Sequence, residues 1–427
     1  MLQSHPLRTV LSDELHARPF PQITAPTSGA YLAISSAGTV AKDRAVLKRL
    51  LKALGHGDQK PTGSHYFTDL GEYRLKWERH TEFATYTFFV ERQTDILFAD
   101  GPHDLFPADW MEKTKGEILA SCVLEVVGPF TLKAAENYVT HNFFKYFKND
   151  GMAVNYVLGR EAVVASDFTL DERGHTRLAI LAIGQVGENR LGRIVQRLFE
   201  IETYKSMAML TLPVAHDIFA RVGDLNTDLS LAVQAIAEGE GTTQERLDAL
   251  LSVAAKIEYL QSQSAYRFSG AEAYNAILNQ RISVLREERM LGRQTFSEFM
   301  MRRFDPAMRT CVSAQKRLRD ISARAARASD LLATRVTVRT NEQNRALLQQ
   351  MDRRASLQMR LQETVEGLSV VAISYYAVNL ATYLLVPLVK VLGVEKHQLT
   401  AALILPMMLL VWLMIRRIKR RASKDDA

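Results

Sequence analysis

A chain of 427 residues, 47% hydrophobic and 24% charged, has the composition of a folded globular protein, which excludes a disordered, collagenous or disulfide-stapled molecule. Its net charge of +7 is unevenly spread: residues 302–360 hold 14 basic and 5 acidic side chains, residues 416–427 hold 6 and 2, and the first 301 residues are net acidic. Two cysteines, Cys122 and Cys311, stand without a CxxC pattern or a His-rich neighbourhood, so they read as buried thiols in a reducing compartment.

The chain opens MLQSHPLRTVLSDEL, where Pro6 and Arg8 break any apolar run. No export signal is expected, and the body should stay where it is made. A proline-rich, irregular lead-in follows. Ala30 to Ser35 reads as a strand, and Val40 to Leu54 as a helix with Val46, Leu47, Leu50, Leu51 and Leu54 on one face. Gly55 to Gly63 ends that helix. Its Gly55-His-Gly57-Asp-Gln-Lys60 lacks the spacing of a phosphate loop and reads as a turn. Glu72 to His80 and Glu82 to Glu91 read as paired strands, Pro107 to Lys115 as a short helix and Ile118 to Val127 as a buried strand. Thr131 to Phe147 is helical, and Val154 to Leu158, Glu161 to Phe168 and Arg177 to Ile183 complete a sheet. The expected fold class is an α+β (mixed α/β) N-terminal head over residues 1–191.

From Gly192 the strand signal disappears, and residues 192–366 read as an all-α stalk. A break is expected near Pro213, a capping box at Thr242 and Glu245, and a strong helix start at Asp305-Pro306. No Gly or Pro follows until Gly367, so 306–366 can form one helix of roughly 90 Å. Leu318, Ile321, Ala325, Ala328 and Leu332 give it an apolar seam at coiled-coil spacing. Gly367 to Val389 is uncharged and long enough for a hydrocarbon core of roughly 30 Å. Gln398 to Ile415 returns, ending on Arg416, Arg417, Lys419, Arg420 and Arg421, whose stems can snorkel to lipid headgroups. The expectation is a C-terminal two-helix transmembrane hairpin over 367–415 with a basic tail over 416–427. Arg353, Arg354 and Arg360 before the spans and the cluster after them outweigh Lys390 and Lys396 between, which places both termini in the cytoplasm.

His16-Ala-Arg-Pro-Phe20, the run GRIVQRLFEIETYKSMAML from Gly192, and the stretch from RFSGAEAY to RMLGRQTFSEFMMRRFDPAMRTC resemble the bacterial domain-of-unknown-function 3422 family over nearly the whole chain. The resemblance implies a membrane-anchored bacterial protein and no assigned chemistry. The arrangement of an α/β head, a long helix entering the first of two C-terminal spans and a basic tail also looks like the CorA class of magnesium channels. That class carries a Tyr-Gly-Met-Asn signature, of which Tyr376-Ala-Val-Asn379 is the nearest echo, with the Gly and Met replaced.

Candidate functional residues follow. Tyr375, Asn379, Thr382 and Tyr383 recur at helical spacing on the first span, as a pore lining or an interhelical polar stripe. His5, Glu14, His16 and Arg18 form a weaker candidate polar site, for which no metal is specified. No GxSxG elbow or GxGxxG loop appears, no cofactor is expected, and an enzyme is the third reading after transporter and tethered binding protein. Asp167, Asp171, Glu172 and His175 read as a solvated hairpin turn, and Met207 and Met209 as core filler. The basic stretch 302–360 has a single aromatic, Phe304, so nucleic acid is not an expected partner. The expected partners are the bilayer, further copies of the chain and, in the transport reading, a divalent cation. Two spans cannot enclose an aqueous path, so transport requires an oligomer.

Overall fold

The structure, a computed structural model, describes residues 4–5, 7–8, 12, 20–36, 38–92, 94, 96–99, 102–148, 150–392 and 396–425, with side chains described outside 386–396 and 419–425. In chain order it contains β1 (Thr27–Ser35), α1 (Val40–Ala53), β2 (His65–Asp69), β3 (Arg74–Arg79), β4 (Phe83–Val90), α2 (Ala108–Lys113), β5 (Ile118–Phe130), α3 (Leu132–Asn142), β6 (Ala153–Val157), β7 (Ala162–Ser166) and β8 (Thr176–Ile183). Helices α4 (Glu188–Met209), α5 (Thr211–Glu238) and α6 (Thr243–Ser283) follow, then β9 (Glu288–Arg289), α7 (Phe296–Arg303), α8 (Asp305–Leu392) and α9 (Lys396–Asp425). Two compact units divide the chain, residues Met1–Ser329 and Asp330–Ala427.

In the first unit the strands form one nine-stranded sheet in the order β2-β3-β4-β1-β5-β8-β7-β6-β9. The β5–β8 pairing is parallel and the other pairings are antiparallel. One face of its β1–β4 end carries Leu32, Leu75, Trp77, Tyr86 and Phe88, which pack on Leu47, Leu50 and Leu51 of α1 and on Trp110 of α2. The Trp110 indole donates to the Val46 carbonyl at 3.1 Å, satisfying the one polar atom it brings into that core. A second cluster at the β6–β8 end packs Val154, Val163 and Leu181 on Ala135 and Val139 of α3. Met290, just after β9, joins it, so the helical stretch returns a strand to the sheet.

Sequence signals and helix ends coincide where a side chain closes the end. Thr242 Oγ1 accepts from the Glu245 amide at 3.2 Å and Glu245 Oε2 accepts from the Thr242 amide at 2.7 Å, completing the expected capping box. The break expected near Pro213 falls at Leu210, between α4 and α5. Leu318, Ile321, Ala325 and Ala328 are buried inside the first unit. Arg324 reaches Asn226 and Ser230 of α5, and the Arg317 guanidinium lies 5.0 Å from the Phe219 ring centroid. The apolar seam is thus covered within one chain.

In the second unit, two helices are long and apolar enough to cross a membrane. Ser374, Val378 and Thr382 share a buried face of α8, and Val411 is buried on α9.

Candidate functional site

Strand alternation sends Lys76 and Glu78 of β3, and Phe83, Thr85, Thr87 and Phe89 of β4, to the face opposite the α1 core. The register lines these residues into cross-strand rows. Lys76 sits opposite Thr87, and Thr87 opposite Tyr31; Glu78 sits opposite Thr85. A sheet face covered by a helix is ordinarily apolar. This one is covered by α4, yet Lys76, Glu78, Thr85 and Thr87 are no more than 9% exposed. Between sheet and helix lies a cavity of about 340 Å3, walled on the helix side by Gln196, Arg197, Phe199, Glu200, Thr203 and Tyr204 and closed by Phe20, Pro21 and Arg281.

Lys76 Nζ lies 3.2 Å from Glu78 Oε1 and donates to Gln196 Oε1 at 2.9 Å. The Glu78 oxygen is close enough to Lys76 for an ion pair but off the hydrogen-bonding direction, and this buried atom has no hydrogen-bond partner. Gln196 passes the network on, its Nε2 donating to Glu200 Oε1 at 2.9 Å, while Arg281 donates to the other Glu200 oxygen. Arg197 Nη1 donates to the Val284 carbonyl at 3.2 Å. Burial, then Arg193 and Arg281, hold the Arg197 guanidinium below its ordinary pKa. The Tyr31 and Thr203 hydroxyls bond at 2.7 Å, and the Tyr31 ring stacks on Phe199 with centroids 4.5 Å apart. Burial pushes the Tyr31 phenol well above its ordinary value, so it stays a neutral hydroxyl.

The wall made by Phe20 and Pro21 depends on a glycine. A Cβ built on Gly192 would fall 1.6 Å from the Pro21 carbonyl oxygen, so only glycine lets this segment lie on α4. The segment is further tied by Ile23 N–H donating to the Glu188 carbonyl at 3.2 Å and Arg74 Nη1 donating to the Gln22 carbonyl at 2.7 Å. Charged groups, hydroxyls and aromatic walls converging on a small, partly open cavity can hold a polar small molecule and fix its orientation.

A second cluster joins three sequence-distant residues. Ser121 Oγ lies 2.8 Å from His175 Nδ1 and 3.2 Å from His103 Nε2, and the imidazole centroids are 3.7 Å apart. Burial, then the neighbouring His175, pushes His103 down to about 4, and burial lowers His175 as well. His175 is delivered by the turn read from the sequence: the Asp171 carboxylate accepts from the Arg173 and His175 amides, each at 2.9 Å.

The residues singled out from the sequence lie elsewhere. His5 is exposed and its Nδ1 accepts from the Leu7 amide at 3.2 Å; Glu14, His16 and Arg18 lie outside the described residues. Thr382 is buried, its hydroxyl donating to the Val378 carbonyl at 2.7 Å. Tyr375 and Tyr383 are exposed on the chain and Asn379 is half-buried, so the stripe divides between two faces of the helix. Arg416 lies 5.0 Å from the Trp412 ring centroid and Arg417 is exposed; the side chains of Lys419, Arg420 and Arg421 lie outside the described residues. Among the described residues no group of three or more His, Cys, Asp or Glu is placed to hold a metal.

Sequence reasoning missed the pocket. Its signal was the alternation of Lys76 and Glu78 with Leu75 and Trp77, which looks like an ordinary solvated strand face until α4 is seen to cover it. The three stretches that carry the family resemblance meet there, one ending at Phe20, one containing Gln196 to Tyr204 and one containing Arg281 and Val284. The model of the family described as protein of unknown function (DUF3422) matches residues 3–422. No curated protein and no solved structure matches the chain. The chain belongs to the DUF3422 family.

Proposed function

From membership of a family without an assigned activity, we propose that this chain is a bacterial inner-membrane protein, with both termini cytoplasmic and its body held at the membrane by the C-terminal hairpin. In this reading the body works as a small-molecule-binding module. The observation that carries the binding reading is the polar sheet face under α4. Burying the Lys76–Glu78 pair costs several kcal/mol per ion before the pair's attraction is counted. A packed apolar layer would be the more stable solution at this position, and the cost is accounted for if the face recognises a polar ligand. The membrane reading is supported by the two apolar helices and by the basic residues flanking them, from Arg353 to Arg360 and from Arg416 to Arg421.

Two measurements test the two halves separately. A chain ending at residue 360 should remain folded and leave the membrane fraction, whereas the full chain should resist high-salt extraction; retention of the shortened chain after such a wash removes the hairpin as sole anchor. For binding, the detergent-solubilised full chain is screened for saturable thermal stabilisation by small metabolites of each charge class. A complete absence of stabilisation across the classes removes the binding reading.

A cation-conducting oligomer is the second reading, favoured by one specific feature. Tyr375 is 66% exposed on a span and Asn379 is half-buried, and polar groups at that depth need partners from another copy or from a water-lined path. Purified oligomer in proteoliposomes that passes no magnesium, cobalt, zinc, sodium or potassium above empty vesicles removes this reading.

A further inference from the structure

Among the described residues, the charges around the pocket do not balance. Its lining carries three cations, Lys76, Arg197 and Arg281, against two carboxylates, Glu78 and Glu200. Lys76 is matched to Glu78 at 3.2 Å, and Arg281 is matched to Glu200. The remaining cation is Arg197, whose hydrogen bond goes to a neutral main-chain carbonyl, that of Val284. Arg193, Arg281 and Arg286 surround it with positive charge, which Glu200 offsets only in part, and together with burial they depress its pKa. A half-buried guanidinium set among guanidiniums is an electrostatic cost that an incoming anion would relieve. The cavity wall is apolar in part: Phe83 and Phe89, six residues apart along β4, and Phe199 of α4 line the same space.

Resting on the reading that this pocket binds a small ligand, we propose that the ligand is an aromatic monocarboxylate, with its carboxylate paired to Arg197 and its ring against one part of the aromatic wall to which Phe83, Phe89 and Phe199 contribute. The guanidinium fork suits a carboxylate, since two parallel N–H donors meet two oxygens in one plane. Counted on the lining residues alone, the surplus is one positive charge, which a monoanion matches, with Arg193 and Arg286 adding to the field from outside the lining. A phosphate monoester, at about −1.5 to −2, would overcompensate it. The cavity, about 340 Å3, sits at the small end of ligand pockets, which run from roughly 300 to 1,000 Å3, so it suits one ring or a fused pair rather than a nucleotide. Phenyl edges and faces supply the contacts that planar rings prefer.

The test is calorimetric titration of the detergent-solubilised full chain with benzoate, 3-phenylpropionate and indole-3-acetate, set against benzamide, benzylamine and phenyl phosphate. At least one carboxylate should bind saturably, and the amide, amine and phosphate probes should bind tenfold or more weakly by comparison, about the effect of losing one charged contact. Arg197→Gln should weaken the carboxylate about thirtyfold or more without changing the affinity of benzamide, and Arg197→Lys should restore part of the loss. Circular dichroism and the unliganded Tm show whether each variant is folded. A folded Arg197→Gln that binds the carboxylate as the parent does overturns the pairing, and so does an equal loss for charged and neutral probes. Binding of the neutral, cationic or phosphate probes with the carboxylates silent overturns the ligand class and leaves the pocket as a binding site. Silence of all six probes, with no stabilisation in the metabolite screen, takes both readings down together.

Discussion

Replacing Lys76 by methionine should separate the structural from the recognising role of the pocket's ion pair. The variant leaves the Glu78 carboxylate, 9% exposed, without its counter-charge, and takes from Gln196 Oε1 the ammonium that donates to it at 2.9 Å. An uncompensated buried charge costs about 3–5 kcal/mol. In a first unit of residues Met1–Ser329, at about 2 °C per kcal/mol, that corresponds to a Tm roughly 6–10 °C lower. The double variant Lys76→Met with Glu78→Leu removes both ions and fills part of the cavity with apolar atoms. It should regain the parent stability or exceed it by about 1–4 kcal/mol, the range seen when buried pairs are replaced by well-packed apolar residues. Thermal unfolding followed by near-ultraviolet circular dichroism, to which the fully buried Trp77 contributes, measures the parent, Lys76→Met, Glu78→Leu and the double variant. The coupling expected from the cycle is at least about 3 kcal/mol. A double variant that falls as far as Lys76→Met alone would show that the pair carries structure rather than a stability cost kept for recognition, and would refute the reasoning behind the binding reading.

The paired imidazoles make stability depend on pH. His103 is pushed down to about 4 from an ordinary 6.5, so the stability it contributes is complete above pH 6.5 and is lost as pH falls toward 4. At pH 5 the loss is at most about 2 kcal/mol by linkage, and about 1 kcal/mol once the partly buried His103 is discounted for solvent screening. His103→Gln keeps an amide donor for Ser121 without a titrating group and should flatten the pH 7 to pH 5 difference by that amount in chemical denaturation; parallel profiles for parent and variant would show that the cluster is not titrating there. Gly192→Ala places a methyl group where the Pro21 carbonyl lies and should cost about 1–3 kcal/mol while displacing the wall that Phe20 and Pro21 give the pocket. A Tm unchanged from the parent, with unchanged ligand affinity, would mean that this segment does not close the site.

Local signals in the sequence located most of the first unit because each was satisfied by neighbours in the chain. The expected helix from Val40 to Leu54 is α1, ending one residue earlier, and its five-residue apolar face is the one that meets the sheet. The capping box at Thr242 and the helix start at Asp305 needed only residues within one turn. Two strands escaped. His65–Asp69 mixes charge and aromatics at the sheet edge, where one face is solvated, and its pairing with β3 carries the definition that its composition lacks. Glu288–Arg289 is two residues long and exists through its register with Asn155 and Tyr156, more than 130 residues earlier in the sequence. Such a contact leaves no periodic trace in a window of any useful size.

The site was hidden for a different physical reason, which bears on what the protein does. Alternation of charged and apolar residues along a strand is the same pattern whether the polar face meets water or a helix, because strand geometry fixes only that the two faces differ. What distinguishes the cases is the covering element: α4 turns Gln196, Glu200 and Thr203, at i, i+4 and i+7, toward the pocket while Leu191, Ile194, Val195 and Leu198 are buried, a pattern that in sequence looks like the solvated face of an ordinary amphipathic helix. The apolar stretch of α8 presents the converse. Tyr375, Asn379, Thr382 and Tyr383 look like one stripe at i, i+4, i+7 and i+8, yet Thr382 turns inward with Ser374 and Val378 while Tyr375 is exposed. A 3.6-residue period places those positions within a broad arc, and a helix partner on one side of that arc is enough to split it. On the inward part the Thr382 hydroxyl donates within its own helix, to the Val378 carbonyl. The outward part can acquire a conducting role only by meeting the same residues of another copy. The pocket beneath α4 is built within one chain, whereas a conducting path needs further copies, and on that ground we propose binding ahead of conduction.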